Sequence, residues 1–297
     1  MKCPYLRESW VKFCQAAPFK KVIEQTSDNA VDLCTSAAFS ACAAFRERGG
    51  SATPPPCPFL QESRAHVCSH DPSVRLVPCS DQVLSRCVTT NHRYCATYLA
   101  AARGPHESLD RSGDLLAGMP SNFLFTRNHM WLDVSNEHDC HIGLDALLTR
   151  VLGRVDKLTF MMSQGEQRPS LVLTTHGVTL HMVFPNPMRI TCSNAQVRVN
   201  PDRILTDPYG SGWLFEGTEP GGTDIRSGLL SGESARIWMW QEAQRVTEII
   251  QRASAEGRNA TMLAADGGVP VEGAVRHLRP DNIPLFFHEL FENEEAV

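Results

Sequence analysis

The sequence predicts an α+β protein. Two small helical lobes come first, each organised by four cysteines. A β domain and a C-terminal helix follow. Three observations lead there. The cysteines of the first hundred residues fall in a pattern that occurs twice. Short segments of alternating polarity then run from His129 to Val199, as strands require. Beyond Ser231, apolar residues recur at three- and four-residue spacing, as a buried helical face requires.

The first observation is an internal duplication. Nine of 11 cysteines precede residue 100. The run Cys3-Pro4-Tyr5-Leu6-Arg7-Glu8-Ser9 returns as Cys57-Pro58-Phe59-Leu60-Gln61-Glu62-Ser63. Cys14 and Cys68 follow at the same interval, then Pro18 and Pro72, then Cys34 and Cys87, then Cys42 and Cys95. Each copy ends on an aromatic residue, Phe45 or Tyr98. The first copy has the spacing C-x10-C-x19-C-x7-C, and the second is one residue shorter in its middle interval.

The N-terminus lacks a charged region followed by an apolar stretch, so the sequence carries no expected secretion signal and a cytoplasmic location is expected. In a reducing compartment, clustered cysteines bind metal more often than they form disulfides. Two metal centres are therefore expected, one on Cys3, Cys14, Cys34 and Cys42, the other on Cys57, Cys68, Cys87 and Cys95. Four thiolates suit tetrahedral zinc or the corners of a [4Fe-4S] cluster, and zinc is preferred. The competing reading is that these are reduced cysteines used as small apolar side chains. Cys79 has no counterpart in the first copy and stands as a spare thiol or extra ligand.

Local signals place helices in both lobes. Ser80-Asp81 caps a helix through Val83, Cys87 and Tyr94 to Leu99, with an interruption at Thr89-Thr90-Asn91. Asp32 precedes a shorter helix holding Cys34, Phe39, Cys42 and Phe45. Lobes this small gain from a structural metal. The expected organisation is a first lobe at 1–48, a linker at 49–56, a second lobe at 57–102 and a linker at 103–121. A β domain follows at 122–220, then linker and helix at 221–265, and a tail at 266–297.

Within the β domain, His129 to Val134, Cys140 to Gly143, Ser170 to Thr175, Thr179 to Phe184 and Gln196 to Val199 are strand candidates, with a helix from Leu144 to Leu152. Three stretches resemble the H protein of the glycine cleavage system. Arg127-Asn128-His129-Met130-Trp131 resembles that family's K-E-H-E-W opening. Ile142-Gly143-Leu144-Asp145 through Leu152-Gly153-Arg154-Val155 resembles its V-G-I-T-D…L-G-D-I segment. Asp207-Pro208-Tyr209-Gly210-Ser211-Gly212-Trp213-Leu214, preceded by Val199-Asn200, resembles its V-N…D-P-Y-G-x-G-W-L run and is the most specific of the three. Leu229-Leu230-Ser231 is similar to its L-L-S helix start. The resemblance spans about Asn122 to Trp240 and implies a barrel-sandwich-hybrid β fold. In the turn, Pro208 fixes φ, and Gly210 and Gly212 allow positive φ.

The resemblance also implies a lipoyl carrier, whose lipoate hangs on a hairpin lysine. Only five of the 28 basic side chains here are Lys, the last of them Lys157, and residues 171–200 contain none. Arg cannot form the amide, because only a primary amine does. No lipoate is expected. His176, His181 and Cys192 lie in that region without a spacing that demands chemistry, and His129, His138 and His141 give only a weak metal signal.

The remaining arithmetic excludes other classes. The chain has 297 residues and 42% hydrophobic content, enough for more than one core, and its net charge of −5 argues against nucleic acid. No apolar run is long enough to span a bilayer. No nucleophile triad, phosphate loop or dinucleotide fingerprint occurs. The expected function is a non-catalytic, metal-binding assembly or sensing protein with protein partners and a non-lipoylated H-like domain. The alternatives are a lipoyl-carrier H protein, disfavoured by the missing Lys, and an iron–sulfur electron-transfer protein. The segment 282–292 either folds back on the β domain or serves a partner's groove.

Overall fold

A computed structural model describes residues 1–16, 21–23, 33–49, 54–70, 75–77, 86–102, 115–134, 139–161, 165–254 and 270–291. Cys79, His138 and the expected Ser80-Asp81 cap lie outside them. The chain forms two compact units, Met1–His92 and Arg93–Val297.

The first unit is built on a sheet rather than on helices alone. Strands β1 (Leu6–Cys14), β2 (Lys21–Ile23), β3 (Leu60–Cys68) and β4 (Arg75–Leu76) form one antiparallel sheet in the order β2-β1-β3-β4. In β1, Val11 and Phe13 alternate onto a buried face with Val67, packed by Ala65 and Leu76. The central pair runs from Leu6 opposite Cys68 to Cys14 opposite Leu60. Leu6 and Leu60 are equivalent in the two sequence copies, as are Cys14 and Cys68. The copies therefore pair through the same segment on each side, like an isologous dimer within one chain. This corrects the expectation of two independent helical lobes with a division at 49–56: each copy supplies half of one sheet.

Helical pieces flank the sheet. A 3₁₀ turn at Ala37–Ala41 leads into helix α1 (Ala43–Glu47), which supplies the short helix expected around Phe39 and Phe45. The expected longer helix up to Leu99 is broken: residues 86–88 are helical and a 3₁₀ turn covers Thr90–Tyr94. Helix α2 (Ala96–Ala102) follows in the second unit.

The second unit holds a single large apolar core. Its strands are β5 (Leu124–Phe125), β6 (Met130–Asp133), β7 (Cys140–Leu144), β8 (Lys157–Met161), β9 (Glu166–Gln167), β10 (Ser170–Thr175), β11 (Val178–Val183), β12 (Met188–Ser193), β13 (Phe215–Thr218) and β14 (Leu230–Ser231). One sheet has the order β14-β5-β6-β7-β13-β12-β9, the other β11-β10-β8. Strand β7 is buried along its whole length, as a central strand between two layers must be. Helix α3 (Ala146–Leu152) is capped by Asp145, whose side chain accepts from the Leu148 amide.

The segment expected as a strand at 196–199 is instead helix α4 (Ala195–Val199), followed by α5 (Asp202–Thr206). The Asn194 side chain accepts from the Gln196 and Val197 amides, and that cap outweighs the β-branched residues of a five-residue segment. The Asp207–Trp213 turn is held by the Asp207 carbonyl, which accepts from Gly212 at 2.8 Å. Gly210 and Gly212 do not take positive φ. They are required for space, since a Cβ at Gly212 would lie 2.7 Å from the Asp207 carbonyl oxygen, and one at Gly210 2.5 Å from the Asp207 carboxylate.

Helix α6 (Gly232–Ser254) fulfils the C-terminal periodicity, burying Trp238, Val246, Ile249 and Ile250. Helix α7 (Asn282–Phe291) folds back in cis. Its Ile283, Phe286, Phe287 and Leu290 are buried, and Arg245 of α6 donates to the Glu289 and Leu290 carbonyls at its C-terminal end.

Candidate functional site

The sequence points to two places: the cysteines of the first unit and the hairpin region of the second. In the first unit, Cys14 and Cys68 end the two central strands, while Cys3 and Cys57 precede them and are buried. Cys42 is the cap residue of α1. The described cysteines are not joined in disulfides. The backbone brings third-position cysteines to leading cysteines across the copies. The Cys57 amide donates to the Cys34 carbonyl at 2.7 Å, and the Cys3 amide to the Cys87 carbonyl at 2.8 Å. Cys57 is buried with Phe39 and Phe45, and Cys34, Cys42, Phe59 and Leu60 pack on that cluster. Among the described residues, no three His, Cys, Asp or Glu side chains already stand as a ligand set. Cys95 follows the 3₁₀ turn and precedes α2.

In the second unit the hairpin is β10–β11, paired from Ser170 opposite Val183 to Thr175 opposite Val178. Two residues close it, His176 at φ 47° and Gly177 at φ 80°. Positive φ at both positions is the geometry of a tight type I′ hairpin turn, which Gly adopts without a Cβ penalty. The His176 ring Nε2 lies 3.0 Å from the Leu152 carbonyl, tying the turn to the end of α3.

Two buried histidines lie elsewhere in this unit, in separate polar clusters. His129 ends the turn before β6 at φ 63°. Its Nδ1 lies 2.9 Å from Asp145 Oδ2, and its Nε2 3.5 Å from Glu242 Oε1, an ion-pair contact longer than a good hydrogen bond. Glu242 in turn receives two hydrogen bonds from the Arg245 guanidinium. Burial alone would pull the His129 pKa down. The Asp145 and Glu242 carboxylates overcome that and raise it to about 9. Burial would raise Glu242, but the His129 cation beside it and the hydrogen bonds from Arg245 hold it at about 2. Asp145, His129, Glu242 and Arg245 thus form a charged chain joining the sheet, α3 and α6. His129 is 1% exposed and stays protonated at neutral pH, so it is neither reachable by substrate nor able to accept a proton.

The second cluster surrounds His141 on β7. Its ring stacks on Tyr94 at 3.9 Å and meets Trp213 edge-on at 5.4 Å. Its Nε2 is 3.5 Å from Glu216 Oε2, which also receives a 3.5 Å contact from the Cys192 thiol. Asp133 accepts from Tyr94 Oη and Arg93. Cys140, the next residue along β7, donates instead to the Gly217 carbonyl at 3.2 Å, and burial pushes its thiol up to about 12. The sequence singled out both histidines but missed their partners. Glu242 carried a signal: it lies four residues from both Trp238 and Val246 on an apolar helix face, where an unpaired charge is costly.

The sheets, the Asp207–Trp213 turn and the tight hairpin make the second unit a mixed helix-and-sheet domain. Part of this chain is similar in sequence to glycine cleavage system H proteins. The glycine cleavage system H protein of Halorhodospira halophila is 26% identical over 122 residues, covering 39% of this chain and 90% of that protein. The glycine cleavage system H protein of Mycolicibacterium gilvum is 23% identical over 106 residues, covering 34% of this chain and 79% of that protein. A crystal structure of a glycine cleavage system H protein from Mycobacterium marinum aligns at 20% identity and a TM-score of 0.35, covering 41% of this chain and 98% of its own. No family model matches the chain. No helix among the described residues is long and apolar enough to cross a membrane.

Proposed function

We propose that this protein is a non-catalytic, metal-binding assembly or sensing protein whose H-like domain carries no lipoate and serves as a docking module for protein partners. One observation carries the reading. The β10–β11 hairpin closes on His176 and Gly177, and no lysine occurs anywhere in residues 171–200. Lipoate is held through an amide on a primary amine, and neither residue offers one. What the H-like domain retains is its frame, in the Asp207–Trp213 turn and the buried Trp131, whose indole donates to the Leu144 and Pro208 carbonyls.

The metal half of the reading rests on the duplicated cysteine spacing and on the packing of Cys34, Cys42 and Cys57 beside aromatic side chains. Zinc is the preferred occupant and would act as a structural clamp on a small unit. The net charge of −5 favours a protein partner over nucleic acid.

Two measurements test this. Intact-mass and peptide mass spectrometry of the native protein should find no lipoyl increment on 171–200; finding one would restore the carrier reading. Anaerobic purification with metal analysis and a visible spectrum should give colourless protein containing zinc. Brown protein with iron and sulfide would replace zinc with clusters and favour electron transfer. Folded protein without metal would remove the metal reading altogether.

A further inference from the structure

The backbone contacts point to a cysteine site shared between the two sequence copies: Cys14, Cys34 and Cys42 of the first copy lie on segments that meet the Cys57–Leu60 turn of the second, and their thiols, once turned inward, would be ligands of one soft divalent metal such as zinc. This rests on the metal-binding reading above and changes which thiols share an ion.

Three backbone contacts define the arrangement. The Cys57 amide donates to the Cys34 carbonyl at 2.7 Å, the Leu60 amide to the Cys57 carbonyl at 2.9 Å, and the Gln15 amide to the Phe59 carbonyl at 2.9 Å. The last places the residue after Cys14 beside the Cys57–Leu60 turn, and the strand register sets Cys14 opposite Leu60. Cys42, the residue before α1, packs on the cluster that buries Cys57. Phe39, Phe45 and Phe59 wall the cluster, with Phe39–Phe45 and Phe45–Phe59 ring contacts at 5.0 and 5.9 Å. Such a wall lowers the local dielectric and excludes water from a thiolate site.

The same three contacts recur with the copies exchanged. The Cys3 amide donates to Cys87 at 2.8 Å, the Leu6 amide to Cys3 at 3.1 Å, and the Ser69 amide to Tyr5 at 2.9 Å. Cys68 lies opposite Leu6. Cys3, Cys68 and Cys87 thus begin a sibling set. A consecutive grouping would instead put Cys3 with Cys34 and Cys57 with Cys87, whereas the backbone contacts join Cys57 to Cys34 and Cys3 to Cys87.

Paired double variants of the full chain separate the two groupings by metal content. In Cys34→Ser/Cys57→Ser the exchanged grouping loses one of two metals, and in Cys57→Ser/Cys87→Ser it loses both. Consecutive grouping reverses these results, and that reversal would overturn the inference. Should either variant fail to fold, dibromobimane crosslinking of chelator-treated wild-type protein decides. A crosslink from Cys57 to Cys34, Cys42 or Cys14 is expected, and one from Cys57 to Cys68, Cys87 or Cys95 would refute it. Wild-type protein that binds no metal overturns the shared metal site together with the metal reading. A Cys34–Cys57 crosslink in that same protein would then show that the metal reading failed and the cross-copy neighbourhood did not.

Discussion

Replacing His129 with Asn should make the stability of the second unit depend on pH in a way that exposes the buried charged chain. Asn tolerates the left-handed backbone at φ 63° better than a branched or bulky residue, so the substitution tests charge more than strain. The wild-type His129 pKa is raised from 6.5 to about 9. At about 1.4 kcal/mol per pK unit, the surplus of carboxylate attraction over the burial penalty contributes about 3 kcal/mol. A raised pKa stabilises fully below the unfolded value of 6.5, and that contribution fades as pH rises through about 9. The lowered pKa of Glu242 is largely the same attraction seen from the other partner, so it is not added. It sets the acid limit: its share is present above 4.5 and lost as pH falls through about 2. The variant should therefore lose about 4 kcal/mol at pH 6, about 3 from the missing cation between the buried Asp145 and Glu242 and about 1 from lost packing and hydrogen bonding. At pH 10 the loss should shrink to about 1 kcal/mol, the value of lost packing and a neutral hydrogen bond. Guanidinium unfolding of both proteins at pH 6, 8 and 10, followed by tryptophan fluorescence, measures this. A loss that stays constant across that range would refute the reasoning and leave His129 as a packing residue.

Other outcomes follow from the same geometry. Gly212→Ala should cost about 2–4 kcal/mol, because its Cβ would meet the Asp207 and Arg203 carbonyl oxygens at 2.7 and 2.9 Å, while Gly118→Ala, with nothing within 4 Å, should be near neutral; thermal melts compare them. Arg245→Ala should cost about 2–3 kcal/mol by stripping Glu242 and the end of α7 of their donors, whereas Arg252→Ala should cost less than about 1 kcal/mol because the Arg252–Glu289 pair is exposed; equal losses in denaturant titrations would contradict this. Cys140 should resist iodoacetamide at pH 8 in the folded protein and react on unfolding, since burial keeps its thiol protonated; rapid native labelling on peptide maps would count against that.

What was legible in the sequence divides by the range of the interaction. The α6 periodicity, the Ser170–Thr175 strand and the Asp207–Trp213 turn are local patterns, and the structure places all three. Helix α3 starts two residues later than the expected Leu144, because Asp145 acts as its cap. Strand β1 has no local signal: charged and polar residues between Leu6 and Val11 mask its alternation, and its pairing partner β3 is remote in sequence, with Leu6 opposite Cys68 and Cys14 opposite Leu60. The strand expected at 196–199 failed where the Asn194 cap prevailed. Of the candidate site residues, His129 and His141 were visible as types, but carboxylates that reach them from other elements cannot be read from spacing. The cysteine duplication was fully legible, yet the contacts across the copies were not, because a repeat specifies equivalence and says nothing about which half packs on which.

The self-complementary sheet of the first unit also bears on how its stability scales. Were the two halves separate chains, β1–β3 pairing would be bimolecular, and dilution would dissolve the sheet. Joined through residues 49–56, each half meets the other at an effective concentration set by the tether, in the millimolar range for short connections. The unit thus keeps the symmetric architecture of a dimer while its melting temperature becomes independent of protein concentration, and its halves are free to diverge, as the extra Cys79 in one of them illustrates.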